Sequence, residues 1–485
     1  MNYRMIFYTI GWILVILSGL IVLPLIVSLI YGESSSLSFV WTILIGLVPG
    51  VLLISFPPKD KQIFAREGLI IVGLSWIIIT IIGAFPFFLS NTIPNYIDAL
   101  FESASGFSAT GASVMSNLEL APRGIMFWRS FAQWIGGMGI LVFVLTFLPN
   151  ATAGSLHIMR SEAPGPQVGK IVSKIKVTAR ILYIIYTALT VLEVLLLLIG
   201  GIGIYDSAVV SFSTMATGGF GVKSASIAGY GSNYISIIVM IFMLLAAINF
   251  NLFYMILIGQ FARAFKDEEL KWFLGTILIS VLIIFLNIRH LYSSMGSAVL
   301  DSFFQVISCI TTTGFATVDY TLWPWLSQCV LLFLMFVGGM AGSTGGGFKV
   351  SRFAMLTKAT FRKSRNFISP RDVSVIKMDG KPLDSGLVHS VYLYFVMFIA
   401  ILFFGTIFLL IFEPLLNIQT AFSGVLTSIS GVGPGLSVFG PAGTFAFLSP
   451  YSKVFLSIIM LVGRLEIFPI LMLFSRRTWS VKRFN

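Results

Sequence analysis

The chain has 485 residues, of which 57% are hydrophobic and only 10% are charged. Soluble domains carry roughly 25% charged residues, so this composition excludes a soluble protein and indicates a polytopic membrane protein in a lipid bilayer. The two cysteines exclude a disulfide framework, and the three scattered histidines offer no metal-ligand spacing. The net charge of +12 indicates membrane topology and no nucleic-acid partner, because of where the basic residues lie.

The apolar segments predict ten membrane crossings, because each is long enough for a hydrocarbon core of about 30 Å. The first two, at residues 5–31 and 38–56, predict a helical hairpin. The other eight lie at residues 68–90, 126–148, 178–200, 233–262, 271–292, 323–365, 386–412 and 451–475. These eight form four pairs, each with an outer and an inner crossing.

The basic residues fall mainly on one side of this arrangement. Most of the 31 Lys and Arg lie near residues 59–66, 160–180, 263–271, 352–381 and 476–483. Cytoplasmic loops are enriched in Lys and Arg, so we expect this side, and both termini, to be cytoplasmic.

A shorter segment that ends at a glycine lies between the two crossings of each pair. The four segments are Asp98–Gly111, Asp206–Gly218, Asp301–Gly314 and Thr420–Gly433, with 13, 12, 13 and 13 steps from first residue to glycine. Asp and Thr are typical helix caps, and about 11 helical residues extend roughly 16 Å, about halfway through the membrane. All four segments enter from the outer side, so their negative dipole ends would face one central cavity and favour a cation.

The glycine turns predict an ion selectivity filter. Glycine adopts positive φ without steric cost, and inward-facing carbonyl groups can replace the hydration shell of an ion. The predicted filter residues are Ala109, Thr110, Gly111, Ala216, Thr217, Gly218, Thr312, Thr313, Gly314, Gly431, Val432 and Gly433. Ordinary loops would explain one such turn, but not four at matching positions.

The pattern as a whole predicts an all-α membrane protein with a pseudo-fourfold pore. Four helix–pore-loop–helix repeats follow an N-terminal two-helix hairpin at residues 1–66. The predicted repeats span residues 67–176, 177–268, 269–380 and 381–485.

A glycine-rich loop interrupts the inner crossing of the third repeat. Six glycines between residues 338 and 347 disfavour a helix by roughly 1 kcal/mol each relative to alanine. A phosphate-binding loop is rejected, because Val350 occupies the position that needs a hydroxyl group. The loop is either a flexible kink or a gate below the filter, in this repeat only. The gate residues would be Gly342, Ser343, Thr344, Gly345, Gly346 and Gly347, with the two hydroxyl groups hydrogen-bonding across the pore.

Arg464 lies in the middle of the last apolar segment, residues 454–474. A charged residue there is costly and usually faces a cavity or a partner. It is either an electrostatic barrier to cations or one half of a structural ion pair. Glu466 is poorly placed as that partner on one helix, because residues i and i+2 do not face each other.

The glycine turns and two further motifs resemble the TrkH/KtrB/HKT superfamily of potassium transporters, and most closely its bacterial TrkH branch. The motifs are Ser108–Ala112, Ser213–Phe220, Thr311–Phe315, Gly433–Leu436, Gly342–Gly347 and Gly463–Ile467. The resemblance covers essentially the whole chain, including the leading hairpin.

The resemblance implies potassium uptake through a pore in each subunit of a homodimer, with the glycine-rich loop and Arg464 as barriers. It also implies a cytoplasmic nucleotide-binding regulatory subunit of the TrkA type and a location in the bacterial cytoplasmic (inner) membrane. Potassium is the only bound metal expected, held by filter carbonyl groups, and no organic cofactor is expected. Val432 stands where the other repeats have threonine in the sequence-based alignment, and Pro434 follows Gly433; both depart from strict symmetry.

The sequence therefore predicts a non-enzymatic potassium uptake protein. The alternatives are a secondary transporter of another small solute, which would show inverted repeats, and a less selective sodium/potassium pathway. The basic loop 352–385 is either a contact for the regulatory subunit or a loop that only sets topology. Ion-coupled symport and passive conduction are not distinguished by the sequence.

Overall fold

The computed structural model describes residues 1–58, 64–139, 175–369 and 375–479. Regular structure in these ranges is helical except for one small antiparallel hairpin, in which β1 (Lys377–Met378) pairs with β2 (Lys381–Pro382). The predicted helical class is confirmed, with this hairpin as an addition.

The N-terminal hairpin consists of α1 (Tyr3–Ile30) and α2 (Ser36–Ile54), which pack along their length. A Cβ atom at Gly11 would lie 2.9 Å from the carbonyl oxygen of Gly50, so small residues allow the close approach typical of membrane helices. The carboxylate of Glu33, in the connection, accepts the N–H groups of Arg123 and Gly124 at 2.6 and 2.9 Å. The hairpin is thereby attached to the helix that begins at Arg123.

The remaining helices form four successive sets. The first set contains α3 (Ala65–Leu89), α4 (Tyr96–Phe107) and α5 (Arg123–Gly137). The second contains α6 (Ile175–Ile199), α7 (Ile204–Met215), α8 (Asn233–Ala246), α9 (Phe250–Leu257) and α10 (Phe261–Lys266). The third contains α11 (Glu268–Ile288), α12 (Met295–Ile310), α13 (Trp325–Val337) and α14 (Val350–Ile368). The fourth contains α15 (Ser385–Phe412), α16 (Ile418–Ser430), α17 (Pro450–Arg464), α18 (Phe468–Phe474) and α19 (Arg476–Trp479). Short 3₁₀ helices lie at Ser226–Tyr230, Arg289–Leu291, Tyr320–Leu322 and Ser437–Phe439.

The short helices α4, α7, α12 and α16 pack in a closed cyclic order. Each contacts the outer and inner helices of its own set and also the inner helix of the preceding set. The contacts between sets are α7 with α5, α12 with α8, α16 with α13, and α4 with α17. The last contact joins the fourth set to the first, so the four sets surround one axis in the predicted order.

The predicted helix caps are wrong. Asn95 caps α4 by accepting the N–H of Ile97 at 2.9 Å, and Asn417 caps α16 by accepting the N–H of Thr420 at 2.8 Å. Asp98, which the sequence predicts as a cap, instead lies 2.7 Å from the ammonium group of Lys453 in α17. An asparagine one turn earlier already satisfies the first N–H groups, so the carboxylate is free to form a long-range ion pair.

The prediction of ten continuous crossings is also wrong in part. Among the described residues, six helices are long and apolar enough to cross a membrane, namely α1, α2, α3, α6, α11 and α15, and a seventh span exists if α8 and α9 are counted together despite a 91° bend. The predicted crossing 451–475 is broken at Glu466 and Ile467, which have φ of 54° and 69°. In the predicted crossing 126–148, α5 ends at Gly137, and residues from 140 onward lie outside the described residues.

An interruption in the third set only was therefore too narrow a prediction. Interruptions at residues 247–249 and 465–467 went unnoticed in the sequence because the flanking segments remain apolar. Hydrophobic composition indicates which segments enter the membrane, but it does not indicate where the backbone changes direction within them.

Candidate functional site: a ring of four glycine turns

Each short helix ends in the same backbone turn. One residue takes a positive φ between 53° and 71°, and a glycine two positions later takes a positive φ between 74° and 91°. The first residues are Ala109, Thr217, Thr312 and Gly431, and the glycines are Gly111, Gly219, Gly314 and Gly433. Residues other than glycine rarely adopt positive φ, so the shared geometry marks four equivalent turns.

A common hydrogen bond establishes which residues correspond. The residue before each of these glycines donates its N–H group to the carbonyl group five positions earlier, at 2.8–2.9 Å. The donors are Thr110, Gly218, Thr313 and Val432.

In the second turn this correspondence differs from the sequence prediction by one residue. The sequence predicts Ala216, Thr217 and Gly218, whereas the structurally equivalent residues are Thr217, Gly218 and Gly219. Ala216 has φ of −75° and is the C-cap of α7. Gly219 lies 13 positions after Asp206, which is the spacing found in the other three segments. The spacing of 12 to Gly218 was therefore the sign in the sequence that the wrong glycine had been chosen.

The four glycines close a ring through backbone contacts between successive turns. A Cβ atom at any of them would come closer than 3.0 Å to a carbonyl oxygen of the next turn. The pairs are Gly111 with Gly218, Gly219 with Thr313, Gly314 with Val432, and Gly433 with Thr110. Such a ring of backbone carbonyl groups, at the negative ends of four helices, can stabilise a cation without side-chain charge.

Polar side chains of α4 and α5 hold the first two turns from behind. Gln133 donates Nε2 to the carbonyl group of Gly218 at 2.6 Å and accepts the N–H of Phe220 at 3.2 Å. Glu102 accepts the N–H of Val114 at 2.9 Å and pairs with Nε of Arg129 at 2.5 Å. The sequence analysis missed Gln133, although an amide in a buried helix requires partners.

The glycine-rich loop, residues 338–349, is hydrogen-bonded directly beneath the ring. Gly346 donates its N–H to Oγ1 of Thr312 at 2.6 Å, and Gly347 donates its N–H to the carbonyl group of Ser430 at 2.8 Å. A loop with bonds to the third and fourth turns is an ordered element, which disfavours the flexible-kink interpretation.

The same loop also contacts the second set. Thr344 donates both its N–H and its hydroxyl group to the carbonyl of Ala246, at 3.3 and 3.0 Å, where α8 ends. The hydroxyl group of Ser343 donates within the loop, to Met340. Thr344 therefore bonds to the second set, while Ser343 bonds inside the loop; bonding of both hydroxyl groups across the pore stays a prediction.

Glu269, in the first turn of α11, fastens both ends of the loop. Its buried carboxylate accepts the N–H of Ala341 at 2.7 Å and the N–H of Ser351 at 3.1 Å. The sequence analysis did not single out Glu269, because an acidic residue at a helix start is usually a solvated dipole partner.

Arg464 links this loop to the first set. It donates to the carbonyl groups of Thr344 and Gly136 at 2.9 and 2.7 Å, and also to that of Gly137. Glu466 forms an ion pair with Arg352 of the third set.

A cavity of about 20 Å³ lies between the ring and this loop, bordered by Ala109, Gly431, Gly345 and the cationic residues Lys349 and Arg464. A water molecule needs about 10–15 Å³ on this measure, so the space holds about one. The sequence analysis considered Lys349 only as part of a phosphate loop. Its amine donates to the carbonyl group of Gly345, so a second basic side chain is buried below the ring.

These features define a helical membrane protein in which four short helices, each followed by a glycine turn, pack around one axis. The profile of the TrkH family, described as cation transport protein, matches residues 36–482. The chain belongs to this family.

Named relatives match over almost their entire length. The Trk system potassium uptake protein TrkH of Salmonella typhimurium is 36% identical, and that of Escherichia coli K12 is 35% identical; each alignment covers 99% of this chain and 100% of the relative. The TrkG protein of Escherichia coli K12 is 32% identical over 94% of both chains. The crystal structure of the potassium transporter TrkH from Vibrio parahaemolyticus superposes with a TM-score of 0.88, at 33% identity, over 99% of this chain and 100% of that one.

Proposed function

We propose that this chain carries potassium into a bacterial cell through the ring of four glycine turns. The cyclic contact of four positive-φ glycines with four carbonyl groups carries the proposal, because it creates a fixed, uncharged coordination shell on the axis. Similarity to the Trk potassium uptake proteins supports potassium as the cargo. The process is transport without covalent chemistry.

The glycine-rich loop and Arg464 form the proposed gate. The loop lies against the third and fourth turns, and the cavity between the loop and the ring holds about one water molecule. The basic Lys349 and Arg464 border that cavity, as does the acidic Glu466, which is paired with Arg352, so a passing potassium ion would meet a steric barrier and an excess of basic groups. Opening requires the loop to move away from the third and fourth turns.

A homodimer in the cytoplasmic membrane with a nucleotide-binding TrkA-type subunit is proposed as the working assembly. The Trk system names of the relatives support this partner. The loop that contains β1 and β2 is the proposed contact for this partner. Two hydrogen bonds join the loop to the start of α11: the N–H of Glu268 donates to the carboxylate of Asp379 at 2.8 Å, and the N–H of Asp379 donates to the carboxylate of Glu268 at 3.1 Å. The adjacent residue, Glu269, holds the gate.

The test is potassium uptake by bacterial cells that lack their own potassium uptake systems and express this chain with its regulatory subunit. We expect uptake of potassium in preference to sodium, and a higher sodium-to-potassium ratio for Gly314→Ser. Gly275→Ala is the matched control, because a Cβ atom at Gly275 meets no other atom within 4 Å. Absent uptake by the wild-type chain, or an unchanged ratio for Gly314→Ser, contradicts the proposal.

A further inference from the structure

The outer mouth of the ring carries positive charge. A cavity of about 120 Å³ lies there, bordered by Gly111, Gly219, Gly314 and Gly433 of the four turns. The charged residues that line it are Arg129 and Lys223; no carboxylate of the described residues lines it. The lining of this mouth therefore contains two basic side chains and, among the described residues, no acidic one.

Only one of these charges lacks compensation within the mouth. Arg129 is buried against Glu102, with 2.5 Å between Nε and the carboxylate, so that pair is neutral as a unit. Lys223 is half-buried; its amine donates to the carbonyl group of Gly229 at 2.7 Å and lies 4.2 Å from the ring centroid of Tyr230. Both of these partners are uncharged, so they fix the position of the ammonium group without neutralising it.

The rim carries an acidic residue, Glu119. Its carboxylate accepts the N–H and hydroxyl groups of Ser224 at 2.7 and 2.6 Å, and these bonds hold the pKa of Glu119 below its ordinary value. Glu119 is therefore ionised at neutral pH, but its side chain is exposed and its charge is screened by solvent. The negative charge of Glu119 offsets the positive charge of Lys223 only partially. Removing the charge of Glu119 should therefore have the opposite effect on cation binding to removing the charge of Lys223.

We propose that Lys223 determines ionic specificity by excluding divalent cations from the mouth of the ring. This inference rests on the proposed passage of potassium. A fixed potential acts on charge, so if it lowers the local concentration of a monovalent ion by a factor f, it lowers that of a divalent ion by f squared. One lysine thus penalises divalent ions while costing potassium little.

The test measures external barium as an inhibitor of potassium uptake in the same cells. For Lys223→Met we expect the potassium concentration for half-maximal uptake to fall on the order of three-fold, as for a charge about 8 Å away in partly screened surroundings. The half-inhibiting barium concentration should then fall by about the square, on the order of nine-fold. The sodium-to-potassium ratio should not change, because both ions carry one charge; a changed ratio means that the ring itself was disturbed and overturns the assignment.

Two further variants complete the test. Lys223→Arg keeps the charge and should retain the wild-type barium sensitivity. Glu119→Gln, on the exposed rim, should raise the half-inhibiting barium concentration. The proposal is overturned if Lys223→Met shifts barium no more than potassium, or, should that variant not reach the membrane, if Glu119→Gln leaves barium inhibition unchanged or strengthens it. If cells that express the wild-type chain take up no potassium, that result instead contradicts the proposed function.

Discussion

The ring glycines meet two separate steric requirements. Their φ angles are positive, which costs other residues about 1–2 kcal/mol, and the carbonyl group of the next turn occupies the space of a side chain. A non-glycine residue could tolerate the first requirement, as Ala109, Thr217 and Thr312 do at their own positions. The second cannot be met without moving a carbonyl group of the neighbouring turn.

The correspondence of the second turn gives a prediction at one residue. Gly219→Ala should raise sodium uptake relative to potassium or abolish uptake, because the methyl group displaces the carbonyl of Thr313. Gly221→Ala is the control two positions along, since its Cβ atom would lie 3.6 Å from the nearest atom. Equal behaviour of the two variants in the uptake assay would show that Gly219 is not a ring residue.

Arg464 combines a charge with three carbonyl contacts. Arg464→Ala should raise potassium uptake, because it removes both the barrier and the links from the loop to α5. Arg464→Lys should fall between alanine and wild type, since an ammonium group keeps the charge but not the planar donor geometry of guanidinium. The measurement is potassium uptake divided by the amount of each variant in the membrane. If the alanine variant is present at normal abundance and its uptake is unchanged or reduced, Arg464 is not a barrier to cations.

The buried pair of Glu102 and Arg129 gives a prediction about stability. Both side chains are at most 2% exposed, and removing one partner of such a pair typically costs about 3–5 kcal/mol. Arg129→Met should therefore lower the thermal unfolding temperature in detergent strongly, because the Glu102 carboxylate remains buried. The double variant Glu102→Gln with Arg129→Met should recover part of that loss. A double variant less stable than Arg129→Met alone would mean that the ion pair is not the source.

At the scale of elements, the loop beneath the ring is held by three different sets. It bonds to α8 through Thr344, to the third and fourth turns through Gly346 and Gly347, and to α11 through Glu269. Movement of any one of these elements therefore changes the position of the loop. Glu269 is adjacent in the chain to Glu268, which bonds to Asp379 of the β1–β2 hairpin.

Release of this contact should open the gate. Glu269→Ala removes the acceptor for both loop ends and should raise potassium uptake measured without the regulatory subunit. Glu268→Ala is the control in the same turn of α11, because Glu268 bonds to Lys358 and the hairpin and not to the loop. If both variants raise uptake equally, the effect belongs to the helix start and not to the loop anchor.

At the scale of the whole molecule, the four sets impose a common orientation. We expect all four short helices to enter the membrane from the side opposite to the basic segments. We expect Ser116, exposed beside the first turn, to face the outside and Lys381, exposed in the hairpin, to face the cytoplasm.

Cysteine labelling tests this orientation in a variant without Cys309 and Cys329. Ser116→Cys should react with an impermeant maleimide on intact cells, and Lys381→Cys only after permeabilisation. The reverse pattern would overturn the assigned topology and with it the direction of uptake.

The sequence alone determined the helical membrane class and located the four glycine turns. Composition shows which segments leave water, and the recurrence of a glycine about 13 residues after a polar residue is a local pattern that survives in one dimension. Nine of the twelve predicted ring residues keep the predicted position in their turns, namely those of the first, third and fourth segments, and Thr217 and Gly218 remain in the second turn at shifted positions.

Tertiary structure decided the rest, because these features depend on residues far apart in the chain. The choice of Gly219 over Gly218 follows from contact with Thr313, about ninety-five residues later. The partner of Glu466 is Arg352 of another set, and the role of Glu269 arises only where α11 meets the loop. Buried polar groups must find partners, but the sequence does not give the distances between these groups. The distances are fixed only when the four sets close around one axis.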